Sequence, residues 1–108
     1  MVSFVEGLAK AQFGSLVKAT VDIKKGLMVI GGELHADEEQ LLLEKGSAQA
    51  DLWGINLYPD RFGTTEFVEF DSMINLRPSQ NNMSRGVENP AVRQTIEDVV
   101  NKLVIKNG

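Results

Sequence analysis

Hydrophobic and polar residues alternate strictly between positions 16 and 24. The apolar positions are Val17, Ala19, Val21 and Ile23, and polar residues stand between them. A period of two is typical of a β-strand with one buried face and one solvated face. Lys24, Lys25 and Gly26 suit a tight turn, and the largely apolar residues 27–34 return as a second strand. The pattern therefore predicts a β-hairpin in the first third of the chain.

A second pair of strands is predicted further on. Residues 51–58, DLWGINLY, form a third strand that Pro59 ends, because proline cannot donate a ladder hydrogen bond. After a loop containing Gly63, residues 66–76 form a fourth strand, which ends before Pro78. These strands form a second hairpin.

Three helices are predicted around the hairpins. Ser3 and Glu6 match a capping box for a helix over residues 3–13. A second helix covers residues 37–45, with Asp37 as its N-cap and Gly46 after its end. Asn89 caps the last helix and Pro90 opens it. Its buried stripe consists of Val92, Ile96, Val99, Val100, Leu103 and Val104.

The element order is α-ββ-α-ββ-α. Two hairpins with one-sided alternation predict an α+β fold with a four-stranded antiparallel or mixed sheet and helices packed on one face. At 108 residues, positions 1–108 form a single domain.

The composition of the chain argues against several classes of partner and chemistry. The net charge of −4 disfavours nucleic acid, which needs a basic footprint. The chain has no cysteine, which excludes disulfides and thiolate chemistry and fits a reducing compartment. MVSFVEGLAK has no basic n-region, so we expect no signal peptide. The longest near-apolar run, 26–32, is too short to cross a membrane, so no membrane partner is expected.

The fourth strand and the loop after it carry the main candidates for ligand binding. Glu69, Asp71, Asn75 and Arg77 are spaced by twos or fours, so a regular strand puts them on one face. Asn82, Ser84 and Arg85 follow in a loop without acidic residues until Glu88. Together they predict a site for a small polar or anionic ligand near the last helix. A solvated strand face and a loop that satisfies its own polar groups are the alternatives.

The segment ELHAD offers a different chemistry. In an extended chain Glu33, His35 and Asp37 point the same way, and two carboxylates with one imidazole can bind a divalent metal or orient a general base. The alternative is structural, with Asp37 as the helix cap and His35 as a half-buried turn residue. Ser72, Ser79 and Ser84 are nucleophiles by type only, since none lies in a G-x-S-x-G motif.

Three segments carry a resemblance to a known family. They are VDIKKGLMVIGGELHADEEQLLLEKGSAQADLWGINLYP, FVEFDSMINLRPSQNNMSRGV and NPAVRQTIEDVVNKLV. The chain resembles a small prokaryotic family known only as a domain of unknown function. The resemblance implies a small cytoplasmic prokaryotic protein and brings no activity, cofactor or catalytic residue with it.

Two functional hypotheses follow. The first is a non-enzymatic binding or interaction module that self-associates as a homodimer or other homo-oligomer, because a small sheet with apolar edges offers a dimer surface. The second is a small enzyme or a metal- or anion-binding protein, whose composite site joins ELHAD to strand 66–77 and loop 78–88.

Overall fold

The computed structural model describes residues 3–4, 16–58, 61 and 63–103. Its strands are β1 (Ser3–Phe4), β2 (Val17–Asp22), β3 (Leu27–Ile30), β4 (Leu52–Leu57) and β5 (Val68–Glu69). Its α-helices are α1 (His35–Glu44) and α2 (Pro90–Leu103). The strands pair antiparallel in the order β1-β3-β2-β4-β5, so the α+β class and the antiparallel sheet are confirmed.

The start of the chain differs from the predicted helix over residues 3–13. Ser3 and Phe4 are extended and pair with Ile30 and Val29 of β3, so they add a short edge strand to the four predicted ones. In this strand, backbone N–H and C=O groups of residues 3 and 4 have hydrogen-bond partners on β3. The predicted capping box would satisfy only the N–H groups at a helix start. The rest of the predicted helix lies outside the described residues.

The first hairpin confirms the alternating pattern. Gly26 takes a positive φ of 68° in its turn, as a tight connection requires. The carboxylate of Asp22 accepts hydrogen bonds from the backbone N–H groups of Lys24 and Lys25, both at 2.9 Å. Its other oxygen accepts from the Ser47 hydroxyl at 2.6 Å, so one buried acid ties the turn to the loop after α1.

The two helices lie on opposite faces of the sheet, which corrects the expectation of a single covered face. On β3, Met28 and Ile30 pack with α2, whereas Val29 between them packs with Leu42 of α1. Successive side chains of a strand point to opposite faces, so the two clusters flank the sheet. We call these sides the α1 face and the α2 face. The cause is that β3 and β4 carry apolar residues on both faces, which leaves two surfaces to cover.

The start of α2 lies where the sequence predicts it, whereas the start of α1 does not. The Oδ1 atom of Asn89 accepts from the N–H groups of Ala91 and Val92 at 2.8 and 3.4 Å, which confirms the cap of α2. The other helix starts at His35, two residues before the predicted start. Its N-cap is Leu34, without a side-chain cap, and Asp37 lies in its first turn.

The predicted fourth strand is much shorter than residues 66–76. Only Val68 and Glu69 pair with β4, and the chain then forms short 3₁₀ helices at Met73–Asn75 and Pro78–Gln80. The Ser72 hydroxyl accepts from the N–H of Ile74 and starts the first of these turns. This bend removes the regular strand on which Glu69, Asp71, Asn75 and Arg77 were expected to share a face. No helix in the described residues is long and apolar enough to span a membrane.

Candidate functional site

A cleft of about 630 Å³ opens on the α1 face, between the start of α1, the strands β2, β4 and β5, and the loop after β5. We call it the His35 cleft. Its lining comprises Leu16, Lys18, Leu34, His35, Ala36, Asn56, Tyr58, Glu69, Asp71, Ser72, Met73, Ile74 and Arg85. Volumes of this size are typical of small-molecule sites.

The floor of the cleft is a row of polar residues across three strands. Lys18 of β2 pairs in register with Asn56 of β4, and Asn56 pairs with Glu69 of β5. Neighbouring strands lie about 4.8 Å apart, so the row places a cation, an amide and a carboxylate at regular intervals. The floor therefore has a positive end and a negative end.

Asn56 lies at the centre of this row, and only the nitrogen of its side-chain amide makes hydrogen bonds with other described residues. Its Nδ2 donates to Glu69 Oε1 at 2.9 Å and to the Asp71 carbonyl at 3.2 Å. Both partners are acceptors, so the nitrogen must face them and the oxygen must face away. That buried Oδ1 accepts no hydrogen bond from any described group of the protein. A buried acceptor without a donor costs about 1–3 kcal/mol.

Two hydrogen-bond donors, Asn56 and Tyr58, hold the carboxylate of Glu69. The Tyr58 hydroxyl donates to the same Glu69 Oε1 at 2.8 Å. This hydrogen bond is the main reason that the pKa of Tyr58 lies above its usual value, since losing the proton would set two negative charges together. The carboxylate is therefore oriented, with Oε1 engaged by two donors.

Asp71 and Arg85 form an ion pair at the edge of the cleft. Arg85 Nε lies 2.8 Å from Asp71 Oδ1, and both side chains are about half exposed. Such a pair contributes little to folding. The Arg85 carbonyl accepts from the Ser72 N–H at 3.0 Å and from Asn75 Nδ2 at 2.9 Å, which brings this distant loop residue to the cleft.

His35 supplies a neutral imidazole. Its Nε2 lies 2.7 Å from the Ile55 carbonyl, which only accepts, so Nε2 carries the proton and Nδ1 keeps its lone pair. Burial is the main cause that lowers the pKa of His35 below 6.5, and nearby Lys18 and Arg85 also lower it. The carbonyl contact and Asp71 act in the opposite direction. The ring is therefore uncharged at neutral pH.

Gly54 makes room for His35 and Ser72 at the side of the cleft. A Cβ on Gly54 would lie 2.6 Å from Ser72 Cβ and Oγ and 3.0 Å from His35 Cδ2. The Ser72 side chain is buried, and its hydroxyl already accepts from the Ile74 N–H. Its observed role is packing and turn formation.

Three residues predicted as ligand-binding hold the loop together instead. Asn75, Arg77 and Asn82 are buried and do not line the cleft. Arg77 donates from Nε to the Ile74 carbonyl and from its terminal nitrogens to the carbonyls of Gln49 and Leu52. Its guanidinium lies 4.5 Å from the centre of the Trp53 ring, and burial lowers its pKa.

Asn82 organises the loop from its centre. Its Nδ2 donates to the carbonyls of Asn75 and Gly86, both at 2.7 Å, and its Oδ1 accepts from the Glu88 N–H at 2.8 Å. Ser84, the remaining loop candidate, is exposed and accepts from the Gly86 N–H at 3.2 Å. These contacts match the self-satisfied loop that was the alternative interpretation of residues 78–88.

The residues predicted to bind a metal do not converge. His35 lines the cleft, whereas Glu33 and Asp37 are exposed and do not. Within the described residues, no group of three or more His, Asp or Glu side chains is arranged to hold a metal ion. Metal binding by Glu33, His35 and Asp37 stays a prediction that this geometry does not support.

Sequence reasoning missed three polar residues of the cleft: Lys18, Asn56 and Tyr58. The alternation of β2 placed Lys18 on a polar face, but its neighbour across the sheet depends on strand order. The pairing Lys18–Asn56–Glu69 joins residues that are far apart in sequence. The sequence shows that all three residues are polar, but it does not show that they lie close together.

Comparison with known families supports the resemblance seen in the sequence. The model of a family described as "Protein of unknown function (DUF5674)" matches residues 2–103. The chain belongs to this family. The match spans every strand and helix described above, including all residues of the His35 cleft. Searches of curated proteins and of solved structures found no match.

Proposed function

We propose that this DUF5674 member is a small binding module that holds a polar small molecule in the His35 cleft. The observation that carries the proposal is the buried Asn56 Oδ1, which has no donor among the described residues although its Nδ2 is fully engaged. Buried polar atoms in folded proteins are nearly always hydrogen bonded, so this exception calls for a partner such as a bound ligand, ion or water.

The groups around Asn56 support ligand binding because the network fixes them before any ligand arrives. Glu69 is held by Asn56 and Tyr58, Arg85 by Asp71, and His35 by the Ile55 carbonyl. Prearranged groups lose little conformational entropy on binding. The catalytic alternative would use His35 Nδ1 as a general base, and it shares the same cleft.

A thermal-shift panel of metabolites, nucleotides, phosphate and divalent metals, with EDTA as a control, tests the proposal. A ligand at about 100 times its dissociation constant stabilises by about 2.7 kcal/mol, which raises the midpoint by about ten degrees. The shift should disappear in Glu69→Gln and His35→Ala and persist in Glu97→Gln, a matched change on α2. A ligand whose shift survives both cleft variants would place binding elsewhere and contradict the proposal.

Self-association is the second candidate, favoured by an apolar rim around the same cleft. Leu16, Leu34 and Met73 line its opening and are 41%, 59% and 62% exposed. Clustered exposed apolar side chains are typical of interaction sites.

We propose a homodimer through this rim. Light scattering would detect the dimer, and Leu34→Gln should weaken it. Met83→Gln, at an exposed methionine outside the cleft, is the control. A monomer at all concentrations would reject the dimer.

The cytoplasmic, prokaryotic setting expected from the sequence remains part of this proposal. The absence of cysteine supports a reducing compartment. Fractionation of cells that express the tagged chain would test the compartment.

A further inference from the structure

We infer that the ligand of the His35 cleft is a small zwitterion, an α-amino acid with an apolar side chain. This inference rests on the proposed binding function and specifies the ligand class. It follows from the order of groups along the floor: Lys18 at one end, Asn56 in the middle and Glu69 at the other end. A zwitterion matches a floor that changes from positive to negative.

The ammonium group of the ligand fits the middle of the row, where Asn56 Oδ1 faces away from Glu69. Asn56 Oδ1 needs a donor, and an ammonium carries three N–H donors and no acceptor. Glu69 adds the negative charge, and Oε1 is the oxygen already engaged by Asn56 and Tyr58. His35, whose Nδ1 keeps its lone pair, lines the same cleft. A ligand that offered only acceptors would leave Asn56 Oδ1 unpaired.

The carboxylate of the ligand fits the end formed by Lys18, and Arg85 at the edge of the cleft offers further donors. Lys18 lines the cleft and makes no ion pair or side-chain hydrogen bond with other described residues. Arg85 meets Asp71 through Nε, so its terminal nitrogens face no described partner. Lysine and arginine donors are the usual partners of carboxylates in proteins.

The rest of the lining favours an apolar side chain on the ligand. Leu16, Leu34, Met73 and Ile74 border the same cleft as the polar row. An apolar body with a few fixed polar contacts is the usual make-up of a small-molecule site. Asn56 Oδ1 lies below the accessible surface, so the ligand reaches it only when the group that covers it moves.

Isothermal titration calorimetry with three matched probes tests this assignment. L-leucine carries both charged groups, L-leucinamide keeps only the ammonium, and 4-methylpentanoate keeps only the carboxylate. We expect L-leucine to bind at least tenfold more tightly than either analogue. Equal binding of L-leucine and one analogue would overturn the zwitterion, because one end of the polar row would then be unused.

Variants locate the binding in the cleft. Lys18→Met removes the ammonium but keeps an apolar stem, and Glu69→Gln keeps the acceptor for Asn56 while removing the charge. Each change should weaken the binding of L-leucine at least tenfold. The controls Lys102→Met and Glu97→Gln on α2 should bind L-leucine as tightly as the parent protein does. Circular dichroism confirms that each variant is folded. Unchanged affinity in both cleft variants would overturn the inference.

The two proposals fail in different ways. If L-leucine does not bind but another compound of the panel shifts the midpoint in a Glu69-dependent manner, the cleft is a binding site and the ligand class is wrong. If no compound of either set binds, both the binding function and the zwitterion are rejected.

Discussion

The side-chain amide of Asn75 pairs with both backbone groups of Gly54. Gly54 N–H donates to Asn75 Oδ1 at 2.8 Å, and Asn75 Nδ2 donates to the Gly54 carbonyl at 2.9 Å. The amide thus replaces a neighbouring strand along a part of β4 that β5 does not cover. Arg77 does the same for the Leu52 carbonyl. Side chains of a loop complete the edge of the sheet and keep its backbone groups satisfied.

Asn75→Ala should destabilise the protein by about 3 kcal/mol. It leaves the two Gly54 groups without their partner in a buried position, and each orphaned group costs about 1–3 kcal/mol. Urea unfolding measures the change. Asn101→Ala, at an exposed position of α2, should stay within about 0.5 kcal/mol. An Asn75→Ala protein as stable as the parent would mean that the amide does not support the edge.

Gly54→Ala should cost about 1–3 kcal/mol, the usual range for overpacking. The added Cβ would meet Ser72 at 2.6 Å and His35 at 3.0 Å. Because the main clash is with Ser72, Gly54→Ala combined with Ser72→Gly should be less destabilised than the sum of the single changes. Strict additivity in a double-mutant cycle would show that the two residues do not compete for this space.

Stability should fall as the pH rises from about 5 to 8 because of Glu38. Burial raises the pKa of this side chain from 4.5 to about 8, although the Gly32 N–H and the Thr20 hydroxyl donate to it at 3.0 and 3.1 Å. The folded state holds the proton more tightly, so its contribution is complete below pH 4.5 and is lost as pH rises through 8. The limiting slope for one group is about 1.4 kcal/mol per pH unit.

Glu38→Gln should flatten this pH dependence, because glutamine keeps an acceptor and cannot ionise. Glu44→Gln, at an exposed position of the same helix, should leave the slope unchanged. Urea midpoints measured from pH 5 to 8 compare the three proteins. A slope that persists in Glu38→Gln would assign it to other groups.

His35 should titrate below pH 6.5 and carry its proton on Nε2. As the chain has a single histidine, its imidazole signals are assigned without ambiguity in ¹H–¹⁵N spectra. The lowered pKa means that the unfolded chain takes up a proton first, so the contribution of His35 to stability is present above pH 6.5 and is lost as the pH falls through the folded value. A protonated Nδ1 at pH 7 would contradict the Ile55 contact.

Parts of the fold were readable from the sequence because their causes are local. The alternation of residues 17–22 predicts which side chains face the α2 core, because side chains along a strand point to each face in turn. Asn89 and Pro90 set the start of α2 through contacts within three residues. The family resemblance was readable for the same reason, because the segments that carry it are continuous.

The candidate site was readable only in part. Glu69, Asp71, Arg85 and His35 were singled out, and all line the cleft. Asn75, Arg77 and Asn82 were singled out with them because they are polar, yet they are buried. Polarity along the chain does not distinguish a side chain that bonds a ligand from one that bonds a distant carbonyl, because the partner lies on another strand.

The sequence by itself determined the first hairpin, the start of α2 and the polar character of the segments that meet at the cleft. Only the tertiary structure decided that Lys18, Asn56 and Glu69 form one row, and that Asn75 completes the edge of β4. The physical reason is that period and capping depend on neighbours along the chain. Strand order and register depend instead on packing both faces of the sheet at once.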